Sequence, residues 1–88
     1  MVSYKYKLSF KRSAEKELRK IPPPDISRLV QKIGALSDEP RPLGAQMLKG
    51  DNRYFRLRQG DYRIVYEIND GTREITVIKI GHRREVYQ

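Results

Sequence analysis

The sequence predicts an α+β fold in the order β-α-α-β-β-β: two N-terminal helices packed on one face of a small antiparallel sheet whose opposite face is basic. Three observations carry this expectation. Tyr4, Tyr6, Leu8 and Phe10 alternate with Lys5, Lys7 and Ser9, the period-2 pattern of a half-buried strand. Ile26, Leu29, Val30, Ile33 and Leu36 recur at helical spacing, which places an apolar stripe along one side of a helix. Gly60-Asp61 and Asn69-Asp70-Gly71 then punctuate three strand-like runs, as turns between antiparallel neighbours do.

Each element follows from local chemistry. After the first strand, Ser13 is the expected N-cap of helix one, with Glu15 and Glu17 in the first turn where the helix dipole favours acid. Ala14, Leu18 and Ile21 share its apolar face. Pro22-Pro23-Pro24 ends that helix, and the last proline with Asp25 starts the next. Helix two ends before Pro40, and residues 40–50, with two prolines and two glycines, read as a loop crossing back to the sheet. Gly60-Asp61 is a two-residue hairpin signal. With that pair at the tip, Arg58 opposes Arg63, Leu57 opposes Ile64, Arg56 opposes Val65 and Phe55 opposes Tyr66.

The last strand, Glu74 to Ile80, has two possible registers. A two-residue Asp-Gly loop sends Arg73, Ile75, Val77 and Lys79 to the core. A loop one residue longer buries Thr76, Ile78 and Ile80 instead. The second is preferred because it buries no lysine, and it sends Lys79 and Arg83 to the side of Arg56, Arg58 and Arg63.

Composition sets limits. With 88 residues the chain is expected to form a single domain over 1–88. It has no cysteine and one histidine, so thiolate chemistry, a metal site and a bound cofactor are not expected. No apolar run approaches a membrane span and the N-terminus lacks a signal-peptide core, so a cytoplasmic location away from membranes is expected. A net charge of +8 points to nucleic acid or an acidic protein as partner.

The charge is also unevenly made. From residue 49 onward there are seven arginines and two lysines, against four arginines and six lysines before it. Arginine presents a planar fork of donors that suits phosphate oxygens. Opposed residues of an antiparallel pair point to the same side, so Phe55, Leu57, Ile64 and Tyr66 share one face and Arg56, Arg58 and Arg63 the other. Like charges this close repel. The face is either a site for an anion or ordinary solvated surface, and both readings stand at this point. His82 is either an acid or base near neutrality or a surface histidine at a strand end. Tyr62 and Tyr66 alternate with Ile64 and Ile68 and belong to the core, whereas Tyr87 serves either a site or C-terminal anchoring.

The chain resembles the RelE-type toxins of the RelE/ParE superfamily, the toxin half of prokaryotic toxin–antitoxin pairs. The likeness runs from the opening strand and the Ala14…Leu18…Ile21-Pro22 helix through Pro40…Leu43-Gly44…Leu48-Lys49-Gly50. It continues in Tyr54-Phe55-Arg56-Leu57-Arg58…Gly60-Asp61-Tyr62-Arg63-Ile64-Val65-Tyr66 and closes with Gly81-His82-Arg83-Arg84-Glu85-Val86-Tyr87. The resemblance implies ribosome-dependent cleavage of messenger RNA in the ribosomal A site, inhibiting translation. The implied chemistry is metal-independent transesterification, in which the 2′-hydroxyl attacks the adjacent phosphate. That reaction needs a base, charge stabilisation and an acid. By position Arg56 matches a catalytic lysine, Arg63 the hairpin arginine, Arg83 the late arginine and Tyr87 the terminal tyrosine. Arg63 and Arg83 are expected to clamp the phosphate and stabilise the transition state, and Tyr87 to act as base or to position a nucleobase. Lys49, Tyr54, Arg58, His82 and Arg84 are the further candidates for RNA contact. Tyr54 stands where some relatives carry lysine and offers a stacking surface, and Arg56 favours charge stabilisation over proton transfer.

The implied partners are an acidic RelB-like antitoxin, the ribosome and its message, and operator DNA through the antitoxin only. The alternative within the superfamily is a ParE-type toxin that poisons DNA gyrase without cutting RNA.

Overall fold

The computed structural model describes residues 5–48, 50 and 52–82. Strand β1 (Lys7–Phe10) keeps the expected alternation, with Leu8 and Phe10 turned toward the core and Lys7 and Ser9 outward. Helix α1 (Arg12–Arg19) begins earlier than its Ser13 cap signal implied. Lys11 is the capping residue and makes no side-chain cap. Its backbone does two jobs: its N–H donates to the Val77 carbonyl at 2.9 Å, and its carbonyl accepts from Glu15 N–H at 3.0 Å. Strand and helix therefore abut, which leaves Ser13 inside the first turn. Helix α2 (Pro23–Ala35) follows, with prolines in its first turn where no backbone donor is lost. Leu29 and Ile33, with Leu36 just beyond, are buried, whereas Val30 is 49% exposed on the flank of the stripe.

Three strands then follow: β3 (Tyr54–Gln59), β4 (Tyr62–Asn69) and β5 (Glu74–His82). A two-residue strand, β2 (Gln46–Met47), precedes them inside the segment that reads as loop in the sequence. The sheet order is β1-β5-β4-β3-β2. The sheet is mixed, not wholly antiparallel as expected, because β1 runs parallel to β5. The helical crossover between β1 and the later strands supplies the length such pairing requires. Beyond Phe10 the outer edge of β5 loses this neighbour, and the Glu17 side chain takes its place: Ile80 N–H donates to Glu17 Oε1 at 3.4 Å. That contact satisfies one donor of an edge that is otherwise open to pairing.

The β3–β4 hairpin has the expected register throughout, from Gln59 opposite Tyr62 to Tyr54 opposite Glu67. Gly60 holds φ at +61° at the first tip position, where a two-residue turn needs a residue free of Cβ strain. The β4–β5 connection differs from both expected loops. Asn69 pairs with Glu74, so four residues form the loop, and Asn69 Oδ1 accepts from Thr72 N–H at 3.1 Å. This places Ile75 and Val77 in the core. A bulge then intervenes: Tyr66 pairs with Val77 but Val65 with Lys79, leaving Ile78 unmatched. The phase shifts, Ile80 is buried and Lys79 moves to the far side. Each of the two alternative registers is thus right for part of the strand. A single phase would bury either Ile75 and Val77 or Ile80, and the extra residue lets all three pack.

The core lies between helices and sheet, with Ala14, Ile21, Leu29, Ile33 and Leu36 against Phe55, Leu57, Ile64, Tyr66, Ile68, Ile75, Val77 and Ile80. The crossing loop is pinned at two points. Tyr66 Oη donates to the Pro40 carbonyl at 2.7 Å, and burial pushes the Tyr66 phenol up to about 12. Next to it, Arg41 forks onto Asp70, with Nη2–Oδ2 at 2.8 Å and Nη1–Oδ1 at 3.3 Å, while its guanidinium lies 5.3 Å from the Phe55 ring centre. Tyr6 Oη adds a bond to Asp70 Oδ1 at 2.6 Å. The Arg41 bond, seconded by Tyr6, holds the Asp70 carboxyl below its ordinary range, and the Tyr6 phenol is raised by its bond to Asp70. Among the described residues no helix is long and apolar enough to cross a membrane.

Candidate functional site

The hairpin register sorts the basic side chains by face. Phe55, Leu57, Ile64 and Tyr66 are buried under the helices, so strand alternation sends Tyr54, Arg56, Arg58, Arg63 and Val65 to the other side. Lys79 joins them through its pairing with Val65. Acids sit at the opposite end of this face, where Glu67 pairs with Tyr54 and with Thr76.

The three hairpin arginines are held differently. Arg58 is exposed and Arg56 half-buried. Arg56 Nη2 donates to Gln46 Oε1 at 3.0 Å, a contact set up by the pairing of Gln46 with Arg56 across β2 and β3. Arg63 departs from the expected exposed cationic surface: it is only 5% exposed. Its Nη1 donates to the carbonyls of Tyr62 at 3.0 Å and Gly60 at 3.3 Å, so the guanidinium folds back onto the turn. A buried guanidinium must be hydrogen-bonded, and the hairpin tip supplies those acceptors. Lys79 Nζ lies 3.6 Å from Glu17 Oε2 at the sheet edge.

Because β2 is so short, β3 has no strand neighbour beyond Arg56 on that side among the described residues. A cavity of about 500 Å³ opens there, between the segment Leu43–Gln46, the hairpin tip and helix α2. Arg56, Arg58 and Arg63 line it, and Lys32 enters from α2. Among the described residues that line it there is no carboxylate. Four cations converging on one concavity suit a phosphate group, whose oxygens match the donor forks of arginine. Fixed donors of this kind stabilise charge that develops in a reaction, at little cost of reorganisation.

The other expected residues divide as follows. Tyr54 lies two positions before Arg56 on the same face, half-buried, with the Arg53 guanidinium 5.5 Å from its ring centre. His82 lies elsewhere. It pairs with Tyr62 and meets that ring edge-on at 6.0 Å, which puts it on the helix side of the sheet. There it borders two smaller cavities of about 330 and 260 Å³ shared with Pro22 and Asp25 respectively. Lys49, Arg83, Arg84 and Tyr87 lie outside the described residues. Two lining residues escaped the sequence reading. Lys32 follows Leu29 by three positions and so flanks the buried stripe of α2, a signal of nearness to the sheet edge. Gln46 carried no local signal, being placed by its partner strand.

The chain as a whole is similar to known proteins. Residues 8–87 match the family described as the ParE toxin of the type II toxin–antitoxin system parDE. Toxin RelG of Mycobacterium tuberculosis is 30% identical over 84 residues, covering 94% of this chain and 97% of that protein. The isolated RelE toxin of E. coli superposes with a TM-score of 0.79 at 30% identity, over 93% of this chain and 90% of the other. The toxin of the archaeal RelE–RelB complex from Pyrococcus horikoshii OT3 gives a TM-score of 0.81 at 26% identity, over 90% and 96%. The chain therefore belongs to the ParE toxin family within the RelE/ParE superfamily and is a toxin of a type II toxin–antitoxin system.

Proposed function

We propose that this toxin is a ribosome-dependent endoribonuclease that cuts messenger RNA in the ribosomal A site. The observation that carries the reading is the cavity beside β3, where Lys32, Arg56, Arg58 and Arg63 converge with no carboxylate among the described lining residues. The individually matched proteins named RelE and RelG support it. In the proposed reaction the 2′-hydroxyl oxygen attacks the adjacent phosphorus and loses its proton to a base. The phosphorane's negative charge is met by guanidinium donors, and the 5′-oxygen leaves with a proton. A cyclic phosphate and a free 5′-hydroxyl result. Arg63, fixed by the turn carbonyls, and Arg83 clamp the phosphate. Arg56 adds charge, and Tyr87 serves as base or positions a nucleobase. Lys49, Tyr54, Arg58 and Arg84 complete the RNA contacts. In this reading the ribosome presents the message to the toxin, and the reaction takes place in the cytoplasm.

The partner proposed for the resting state is an acidic antitoxin, in keeping with the RelB complexes formed by the structural relatives. Charge complementarity would speed its capture by a chain of net charge +8. One observation favours a second reading, gyrase poisoning: the matching family model is described as the ParE toxin. The two separate cleanly. Purified toxin is added in parallel to a reconstituted translation reaction and to a gyrase supercoiling reaction. Truncated message with normal supercoiling is the expected result, and intact message with blocked supercoiling overturns it.

A further inference from the structure

We infer that Leu43 is a specificity-determining residue of the proposed cleavage: its side chain packs on the nucleobase next to the phosphate held in the cavity and so biases which codons are cut. The inference rests on the endoribonuclease reading and adds to it the side chain that reads the message.

Among the described residues, Val30, Leu43 and Met47 are the large apolar side chains left exposed. Met47 pairs with Phe55 and so points to the helix side of the sheet edge, and Val30 flanks the buried stripe of α2. Neither borders the cationic cavity, whereas Leu43 does, next to Gly44 and Gln46. A single exposed leucine is common on protein surfaces. This one differs in how it is mounted and in what lies beside it.

Leu43 stands at the corner of a four-residue turn. Ala45 N–H donates to the Pro42 carbonyl at 3.0 Å, and Gly44 holds φ at +98°, the conformation that the third position of a type II turn requires. Both flanks of the turn are anchored. On one side Tyr66 Oη donates to the Pro40 carbonyl and Arg41 forks onto Asp70; on the other, β2 pairs with β3. The leucine is therefore presented on fixed backbone, and binding a ligand there costs little further ordering. The chemistry of the cavity says what that ligand is. Lys32, Arg56, Arg58 and Arg63 suit a phosphate, and in single-stranded RNA each phosphate is flanked by bases whose faces are free to pack on a protein side chain. At about 500 Å³ the cavity has room for more than a phosphate group. With the phosphate among the cations, the neighbouring base meets the Leu43 rim. Leucine has no side-chain donor or acceptor, so it reads contact area and not base edges, and a purine offers the larger face.

The test replaces Leu43 by Ala and, as the conservative control, by Met, which keeps the apolar bulk. Leu43 is exposed, and both variants are checked for an unchanged melting midpoint. Cutting is read by 5′-end mapping in a purified translation system, on a message library that carries all four bases at each position flanking the cut. A kcat/KM is obtained for each sequence. The wild type is expected to favour purines at one flanking position. Leu43→Ala should lower cutting of those sequences about fivefold or more, the scale on which a lost apolar contact shifts selectivity, with pyrimidine sequences held within about twofold. Leu43→Met should keep the wild-type profile. A wild type without base preference, or a profile unchanged in Leu43→Ala, overturns the inference and leaves Leu43 to a protein contact such as the antitoxin. An equal loss at every sequence also overturns it, because lost contact with the ribosome or general damage lowers all cutting alike. A wild-type toxin that cuts no message takes down the endoribonuclease reading and this inference together, whereas an active toxin indifferent to Leu43 sinks the inference alone.

Discussion

Arg63 and Arg58 face each other across the same hairpin, yet their replacement by alanine should have very unequal consequences for the fold. Arg63 is 5% exposed and donates to two turn carbonyls. Hydrogen bonds from charged donors contribute about 1.5–3 kcal/mol, and the buried stem adds packing that alanine cannot replace. Against this stands the desolvation cost relieved when a buried charge is removed. A net loss of about 2 kcal/mol for Arg63→Ala is expected, which in a domain of this size lowers the melting midpoint by roughly 8–16 °C. Arg58 is exposed, and its removal relieves a like-charge contact. Arg58→Ala should therefore stay within about 0.5 kcal/mol of wild type. Paired calorimetric scans at neutral pH decide the matter. Midpoints for the two variants that agree within about 2 °C would refute the claim that Arg63 braces the turn. The comparison bears on activity too, because any cleavage defect of Arg63→Ala has to be measured well below its own midpoint.

Further outcomes follow from the same contacts. The Tyr66 phenol titrates higher folded, at about 12, than unfolded near 10. Its contribution is thus fully present below pH 10 and is lost as pH rises through 12, about 3 kcal/mol in all. Tyr66→Phe should flatten that alkaline limb in urea titrations, and should cost about 1–3 kcal/mol at neutral pH by orphaning the Pro40 carbonyl. Asp70 is the reverse case, its folded value lying below the unfolded one. Its contribution is present above about pH 4 and is lost as pH falls through the folded value; Asp70→Asn should reduce the acid-side slope of stability. Leu57 is 2% exposed in the core, and Leu57→Ala should cost about 2–5 kcal/mol in denaturant unfolding.

What could be seen in the sequence was what short-range chemistry decides. Gly60-Asp61 set the loop length, and loop length set every pairing of the hairpin down to Tyr54 opposite Glu67. The same rule failed one turn later because four residues, not two or three, connect β4 to β5, and the bulge at Ile78 changes phase within the strand. Neither leaves a mark in composition. The parallel partnership of β1 with β5 joins segments more than sixty residues apart, and β2 is too short to show alternation. The candidate site divides the same way. Arg56, Arg58 and Arg63 shared a face in the sequence and do so in the structure, whereas Lys32 and Gln46 reach the cavity from other elements. His82 was a candidate for RNA contact through its place in the terminal motif, but it stands apart from the arginines, on the helix side with Tyr62. The burial of Arg63 was hidden for a different reason: its acceptors are backbone carbonyls of the turn itself, which no side-chain pattern records.

The central claim is that this cationic cavity acts on messenger RNA held by the ribosome. The direct measurement is 5′-end mapping of a defined message in a purified translation system, with naked RNA as the control for ribosome dependence and Arg83→Ala as the control for the site. New 5′-hydroxyl ends at A-site codons, absent from naked RNA and strongly reduced for Arg83→Ala, are the predicted result. An intact message beside actively translating ribosomes, or Arg83→Ala cutting as well as wild type, would contradict the account.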